Sequence, residues 1–196
     1  KFCSRIAPRG LYTSGRGSTA AGLTAAVVRD TSGIFMLEAG AVVLGDQGLV
    51  CIDEFDKMRP EDRSALHEVM EQQSASIAKG GIVATLNART SILAAANPMF
   101  GKYDPFKNLT ENVNLPIPLL TRFDLIFVVR DIPQKERDRQ IAQHIISQHG
   151  ESGTDTTSLI DIDILTKYLS YAKRIDPSLT KGAESKIMEF YLKMRS

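Results

Sequence analysis

Apolar residues fall at strand spacing in some stretches and at helix spacing in others, and each change of period marks an element. Leu49, Val50, Cys51 and Ile52 form an uninterrupted apolar run followed at once by Asp53 and Glu54. That pattern predicts a strand buried on both faces, with two carboxylates at its C-terminal end. Residues 91–96 predict a second buried strand, ending in Asn97 and Pro98, and residues 125–129 a third. Gly10, Leu11 and Tyr12 read as a short strand running into a glycine-rich loop, with Ser18 or Thr19 capping a helix that begins at Ala20 and Ala21.

Two hairpins interrupt this core. Residues 25–29 and 34–37 flank the turn signal Asp30, Thr31, Ser32, Gly33, and residues 74–78 and 82–86 flank Lys79, Gly80, Gly81. Between the first hairpin and the acid-tipped strand, residues 38–46 read as a short apolar helix. Helical spacing recurs over 59–73, with Pro60 in the first turn and Leu66, Val69 and Met70 as the stripe, and over 134–148, with Ile141, Ile145 and Ile146. Residues 1–6 look like a helix end halted by Pro8, and 99–114 like a loop with one weak helix. Residues 150–158 have linker composition, and 160–174 and 181–195 are two amphipathic helices. Strands separated by helices predict an α/β fold: a mostly parallel sheet sandwiched by helices, two hairpin insertions, a core over 1–150 and the start of a helical lid over 151–196.

Composition narrows the partners. Twenty-four basic and 23 acidic residues leave a net charge of +1, so any nucleic-acid contact is local rather than spread over the surface. Cys3 and Cys51 lie far apart in the sequence and support neither a disulfide framework nor a zinc cluster, which suits a reducing cytosol. No apolar run approaches the roughly 20 residues that span a bilayer, so a soluble protein is expected. The chain starts on Lys1 in what looks like mid-helix, and a truncated chain is therefore expected.

The chemistry begins at the acid pair. Open α/β sheets bind ligands at the carboxyl ends of their strands. There Asp53 suits Mg²⁺ held through water and Glu54 suits a base that activates water, although acids also open helices for purely structural reasons. Gly10 and Gly15 have phosphate-loop spacing, but Arg16 stands where Lys is needed and Gly17 where Ser or Thr would meet Mg²⁺. His67 and Glu68 open an HExxH whose second His is replaced by Glu71, which discards zinc. Asn97, an amide that can donate to a phosphate and accept from water, reaches the acids if the two strands are neighbours; otherwise it starts a turn. Lys79 among glycines makes a phosphate contact blind to base identity, or simply keeps a hairpin soluble. Arg29 could touch phosphate in the same way, or be an ordinary surface residue. Arg122, between Leu119, Leu120 and Phe123, suits an arginine finger on a neighbour's γ-phosphate, or a structural pair with Asp124.

Residues 10–18, 24–40, 52–58, 95–98 and 120–125 together strongly resemble the AAA+ ATPase domain of the minichromosome maintenance (MCM) replicative helicases, over residues 1 to about 148. The resemblance implies that Asp53 and Glu54 are the Walker B pair, Asn97 is sensor 1 and Arg122 is the finger acting on the adjacent subunit. It implies that the Lys79 hairpin is the pre-sensor-1 hairpin lining a DNA channel and the hairpin near Asp30 the helix-2 insert. It further implies ATP and Mg²⁺ as cofactors, a hexameric ring with other MCM subunits, contacts to single-stranded and duplex DNA, and a 3′-to-5′ helicase activity of DNA replication. The implied location is the cytoplasm of an archaeal cell or the nucleus of a eukaryotic one. Thr121 stands where Ser is usual before the finger. The family's Walker A loop is expected before Lys1 and its sensor 2 after Ser196, so the chain by itself is expected to have negligible ATPase activity. Two further readings stand beside this one: another AAA+ machine with a helix-2 insert, such as a chelatase subunit or protein remodeller, which would share Asp53, Glu54 and Asn97 but need no basic pore hairpin, and a non-catalytic ring member lending Arg122 to a neighbour.

Overall fold

The computed structural model describes residues 1–149 and 160–195. A short helix α1 (Phe2–Ile6) leads into β1 (Gly10–Ser14), which is followed by the four-residue α2 (Ala20–Leu23), capped by Thr19 through its acceptance of the Gly22 N–H. β2 (Ala25–Arg29) and β3 (Phe35–Ala39) pair antiparallel, and α3 (Ala41–Leu44) precedes the acid-tipped strand β4 (Leu49–Asp53). The apolar helix expected over 38–46 is thus confined to α3. Glu38 and Ala39 stay in the β3 ladder opposite Ala26 and Ala25, and backbone pairing outcompetes a helix this short.

After β4 a single 3₁₀ turn (Phe55–Lys57) delivers the chain to α4 (Pro60–Gln72), with Pro60 in the first turn as the sequence implied. β5 (Ser74–Lys79) and β6 (Ile82–Asn87) form the second hairpin, closed by Gly80 and Gly81 at φ of +61° and +79°. Two consecutive left-handed residues make the tight turn whose twist matches the strands, a conformation glycine adopts without penalty. β7 (Ser91–Ala94) then returns to the central sheet, whose order is β1-β4-β7 with every pair parallel.

That sheet and the helices against it hold the core. Leu23, Val42, Val50, Ile52, Phe55, Met58, Leu66, Val69 and Leu119 come together there, and burying each side chain of this size contributes roughly 1.5–3 kcal/mol. β4 is covered on both faces, as predicted. β7 is not: Ile92 and Ala94 pack against the core while Leu93 is 47% exposed, because β7 pairs with β4 alone and forms the sheet's edge among the described residues.

The third buried strand expected over 125–129 is the main correction. Those residues form no strand, and Phe127 is 80% and Val129 88% exposed. A strand exists only through hydrogen bonds to a neighbour, and no described strand lies alongside this segment. Upstream of it, the loop from residue 99 contains α5 (Leu109–Asn112), and α6 (Ile117–Leu120) follows, an element the sequence reading missed because it starts among prolines. α7 (Lys135–His149), α8 (Ile162–Ala172) and α9 (Lys181–Arg195) appear where helical spacing placed them, although Ile141, Ile145 and Ile146 are all exposed. The linker expected over 150–158 lies outside the described residues. No described helix is long and apolar enough to cross a membrane.

Candidate functional site

The parallel register brings the predicted residues to one rim. Ser14 pairs with Asp53 across β1 and β4, and Ile52 pairs with Ala94 across β4 and β7, so all three strands end level. Two bonds then knit the strand ends beyond the ladder: the Ala95 N–H donates to the Ile52 carbonyl and the Phe55 N–H to the Ala95 carbonyl, each at 2.9 Å. Asp53 and Glu54 leave the sheet here, half-buried, with Asn97 on the adjoining turn.

Glu54 sits in the left-handed region, at φ 49° and ψ 41°. A non-glycine residue held there costs on the order of 1–3 kcal/mol, and such strain persists only where the surroundings over-determine it. Its side chain accepts from Ser14 Oγ at 3.0 Å, and its amide donates to Oδ1 of the preceding Asp53 at 2.9 Å. The other carboxylate oxygen, Asp53 Oδ2, accepts from the Tyr12 hydroxyl at 2.9 Å. That bond to Asp53 is the main reason the Tyr12 phenol titrates above its ordinary value. Gly15 allows this close packing: its N–H donates to the Asp53 carbonyl at 2.7 Å, and an added Cβ would lie 2.6 Å from the Glu54 carbonyl oxygen.

Asp56 organises the next turn. Its carboxylate pairs with Lys57 at 2.8 Å and accepts the Asn97 amide N–H at 3.0 Å. Burial alone would raise its pKa, but the Lys57 and Asn97 bonds prevail and hold it below the usual carboxylate value. The backbone of Asn97 is therefore anchored to the acid turn, and its side chain is exposed.

As for a metal, Asp53 and Glu54 supply hard oxygen donors, and each Asp53 oxygen retains a lone pair beyond the bond it already accepts. No cluster of three or more metal-ligating side chains occurs among the described residues. A pair of carboxylates is a donor set that would fit Mg²⁺, which keeps several waters and binds through one or two carboxylates together with substrate phosphates.

Arg122 makes its contacts on α4. Its guanidinium pairs with Glu71 at 2.7 Å, near the far end of α4, with a long 3.5 Å contact from Nε to His67 Nε2. The structural pairing with Asp124 considered from sequence is replaced by this one. His67, whose motif lacked a second zinc ligand, serves here as a neighbour of Arg122. Arg122 stays exposed, while the next residue, Phe123, packs edge-on against Phe55 with ring centroids 5.8 Å apart. The guanidinium thus sits on a surface a second molecule can reach, on a segment fixed to the acid turn.

Lys79 ends β5 at the exposed hairpin tip. The two hairpins touch: a Cβ on Gly80 would lie 3.2 Å from the Phe35 ring, and the Arg29 guanidinium lies 5.6 Å from the centroid of that ring. The residues that sequence reasoning missed are Tyr12, Ser14 and Glu71. The alternation of Tyr12 and Ser14 along one strand was a legible signal, but their reach to Asp53 and Glu54 depends on which strand lies beside β4.

Comparison with known proteins identifies the family. The family model described as the MCM P-loop domain matches residues 1–149. The minichromosome maintenance protein MCM of Saccharolobus solfataricus is 54% identical over 197 residues, covering 100% of this chain and 28% of the relative. DNA replication licensing factor MCM4 of Arabidopsis thaliana is 50% identical, covering 100% of this chain and 23% of the relative. DNA replication licensing factor mcm7 of Xenopus tropicalis is 48% identical, covering 99% and 27%. The chain spans about a quarter of the length of the curated relatives it matches.

Proposed function

This chain belongs to the MCM family of P-loop domains, and from that premise we propose that it forms part of the motor of an ATP-driven DNA helicase acting in DNA replication. The observation that carries the reading is the convergence of Asp53, Glu54 and Asn97 on one rim of a parallel sheet, with Arg122 exposed and paired to Glu71 of α4. A site shared between subunits needs a guanidinium that an adjoining molecule can reach.

In this proposal Asp53 holds Mg²⁺ through water, Glu54 orients and deprotonates the attacking water, and Asn97 faces the γ-phosphate. Mg²⁺, when bound, supplies charge neutralisation on the phosphates. Arg122 stabilises charge on the nucleotide of the adjoining subunit in a hexameric ring, and its fixed planar fork suits that task. Residues 1–150 make the ATPase core and 151–196 begin the lid. Lys79 contacts the DNA backbone, single-stranded or duplex, from the hairpin tip. The near-neutral net charge of +1 is consistent with a contact concentrated there rather than spread over the molecule. Such a protein works where chromosomal DNA is, in the nucleus of a eukaryotic cell or the cytoplasm of an archaeal one.

The test uses the full-length protein. Glu54→Gln is expected to lower ATP turnover by at least about a hundredfold while nucleotide still binds. Lys79→Ala is expected to weaken DNA binding and reduce the slope of log affinity against log salt by about 1. Unchanged turnover in Glu54→Gln would remove the assigned base, and an unchanged salt slope in Lys79→Ala would remove the hairpin from the DNA path.

A further inference from the structure

β1 contributes two polar side chains to the acid pair, and they differ in kind. Ser14 lies directly opposite Asp53 in the ladder, so its short hydroxyl reaches Glu54 with little freedom. Tyr12 lies two residues earlier, on the same face of the strand and opposite Cys51, and only the length of its ring carries the hydroxyl to Asp53. Tyr12 is 40% exposed, with Lys1 Nζ 5.4 Å from its ring centroid, so it is not a core-filling residue. Its polar end is nevertheless engaged at 2.9 Å by a carboxylate 41 residues away.

We propose that Tyr12 is a positioning residue that locks the Asp53 carboxylate in the orientation needed to hold a hydrated divalent cation beside a nucleotide. The inference rests on the metal role assigned to Asp53 above. A carboxylate on a single rotatable bond sweeps its oxygens through a wide arc. Here the Glu54 amide fixes Oδ1 and the Tyr12 hydroxyl fixes Oδ2, and the two bonds together leave one orientation of the plane. Bonds from a hydroxyl to a carboxylate are among the stronger ones, and they leave the second lone pair on each oxygen directed outward. Losing such an outer partner typically costs ten- to a hundredfold in metal affinity. Little stability depends on it, because the ring remains in place when only the hydroxyl is removed.

The experiment uses the full-length protein, a fluorescent ATP analogue and a Mg²⁺ titration, with a parallel measurement in EDTA. Tyr12→Phe is expected to bind the analogue in EDTA as tightly as wild type and to require about tenfold more Mg²⁺ for half of the Mg²⁺-dependent gain in affinity. A Tyr12→Phe titration that superimposes on wild type overturns the proposal. So does an equal loss of affinity in EDTA, which would show that the hydroxyl merely supports the fold. Asp53→Asn is the separating arm. If it abolishes the Mg²⁺ dependence while Tyr12→Phe leaves it unchanged, only the role of Tyr12 falls. If Asp53→Asn leaves the dependence intact, the metal role of Asp53 falls and the positioning role with it.

Discussion

Gly15→Ala tests whether the acid turn depends on close approach by β1. An added Cβ would stand 2.6 Å from the Glu54 carbonyl oxygen and 2.7 Å from Met58 Cγ, where distances under 3.0 Å essentially never occur. Met58 is itself buried, so neither neighbour has free space to yield into. The Glu54 turn must therefore retreat by at least about 0.4 Å, the gap between 2.6 and 3.0 Å. Overpacking of this kind costs about 1–3 kcal/mol. The backbone of Gly15 is in a region open to alanine, so the cost is steric alone. Because a misplacement of about 1 Å at a reacting group costs roughly a hundredfold, a shift of nearly half that is worth roughly tenfold in turnover. The assay compares thermal midpoint and steady-state ATP hydrolysis of full-length Gly15→Ala with Gly17→Ala, where nothing lies within 4 Å of the added Cβ. Gly17→Ala is expected to stay within about 0.5 kcal/mol of wild type. If the two variants behave alike in both measurements, close packing of β1 on the acid turn does not set the geometry of the site.

Asn112→Ala is expected to loosen the loop that starts at residue 99. Asn112 is fully buried, accepts the Asp104 N–H at 2.7 Å and donates from Nδ2 toward the carbonyls of Asp104, Lys107 and Asn108. Two hydrogens on Nδ2 limit it to about two full bonds, so with the accepted bond the loss is about 2–4 kcal/mol. Faster hydrogen exchange at the Asp104 amide would report it, and unchanged exchange would refute it. Asp46 gives a pH dependence: its bonds to the Arg89 side chain and amide lower its pKa from 3.8 to about 2. A carboxylate with a lowered folded pKa stabilises above its unfolded pKa and loses that contribution as pH falls through the folded one. The window is therefore about pH 4 down to 2. Asp46→Asn should flatten the thermal midpoint across that interval relative to wild type, and parallel curves would exclude the pair as a source of acid sensitivity.

The two hairpins and the acid-tipped strand were legible because their signals are local. Two glycines permit the left-handed turn after Lys79, and an apolar run ending in Asp53 has few other places to go than the middle of a sheet. The helix at Pro60 was legible for the same reason. The segment 125–129 shows the opposite limit: its composition carries the propensity for a strand, but a strand is a relation between two segments, and without a hydrogen-bonded neighbour among the described residues these side chains stand exposed.

By itself, then, the sequence determined the class of fold and the order in which the candidate site residues occur. Only the tertiary structure decided their company. The parallel register of β1, β4 and β7 put Tyr12 on Asp53 and Ser14 on Glu54, and the packing of α4 gave Arg122 to Glu71 instead of Asp124. Those partners are 40 or more residues apart in the chain, where no periodicity or propensity reaches, and only the exclusion of water from a shared core brings them within hydrogen-bonding distance.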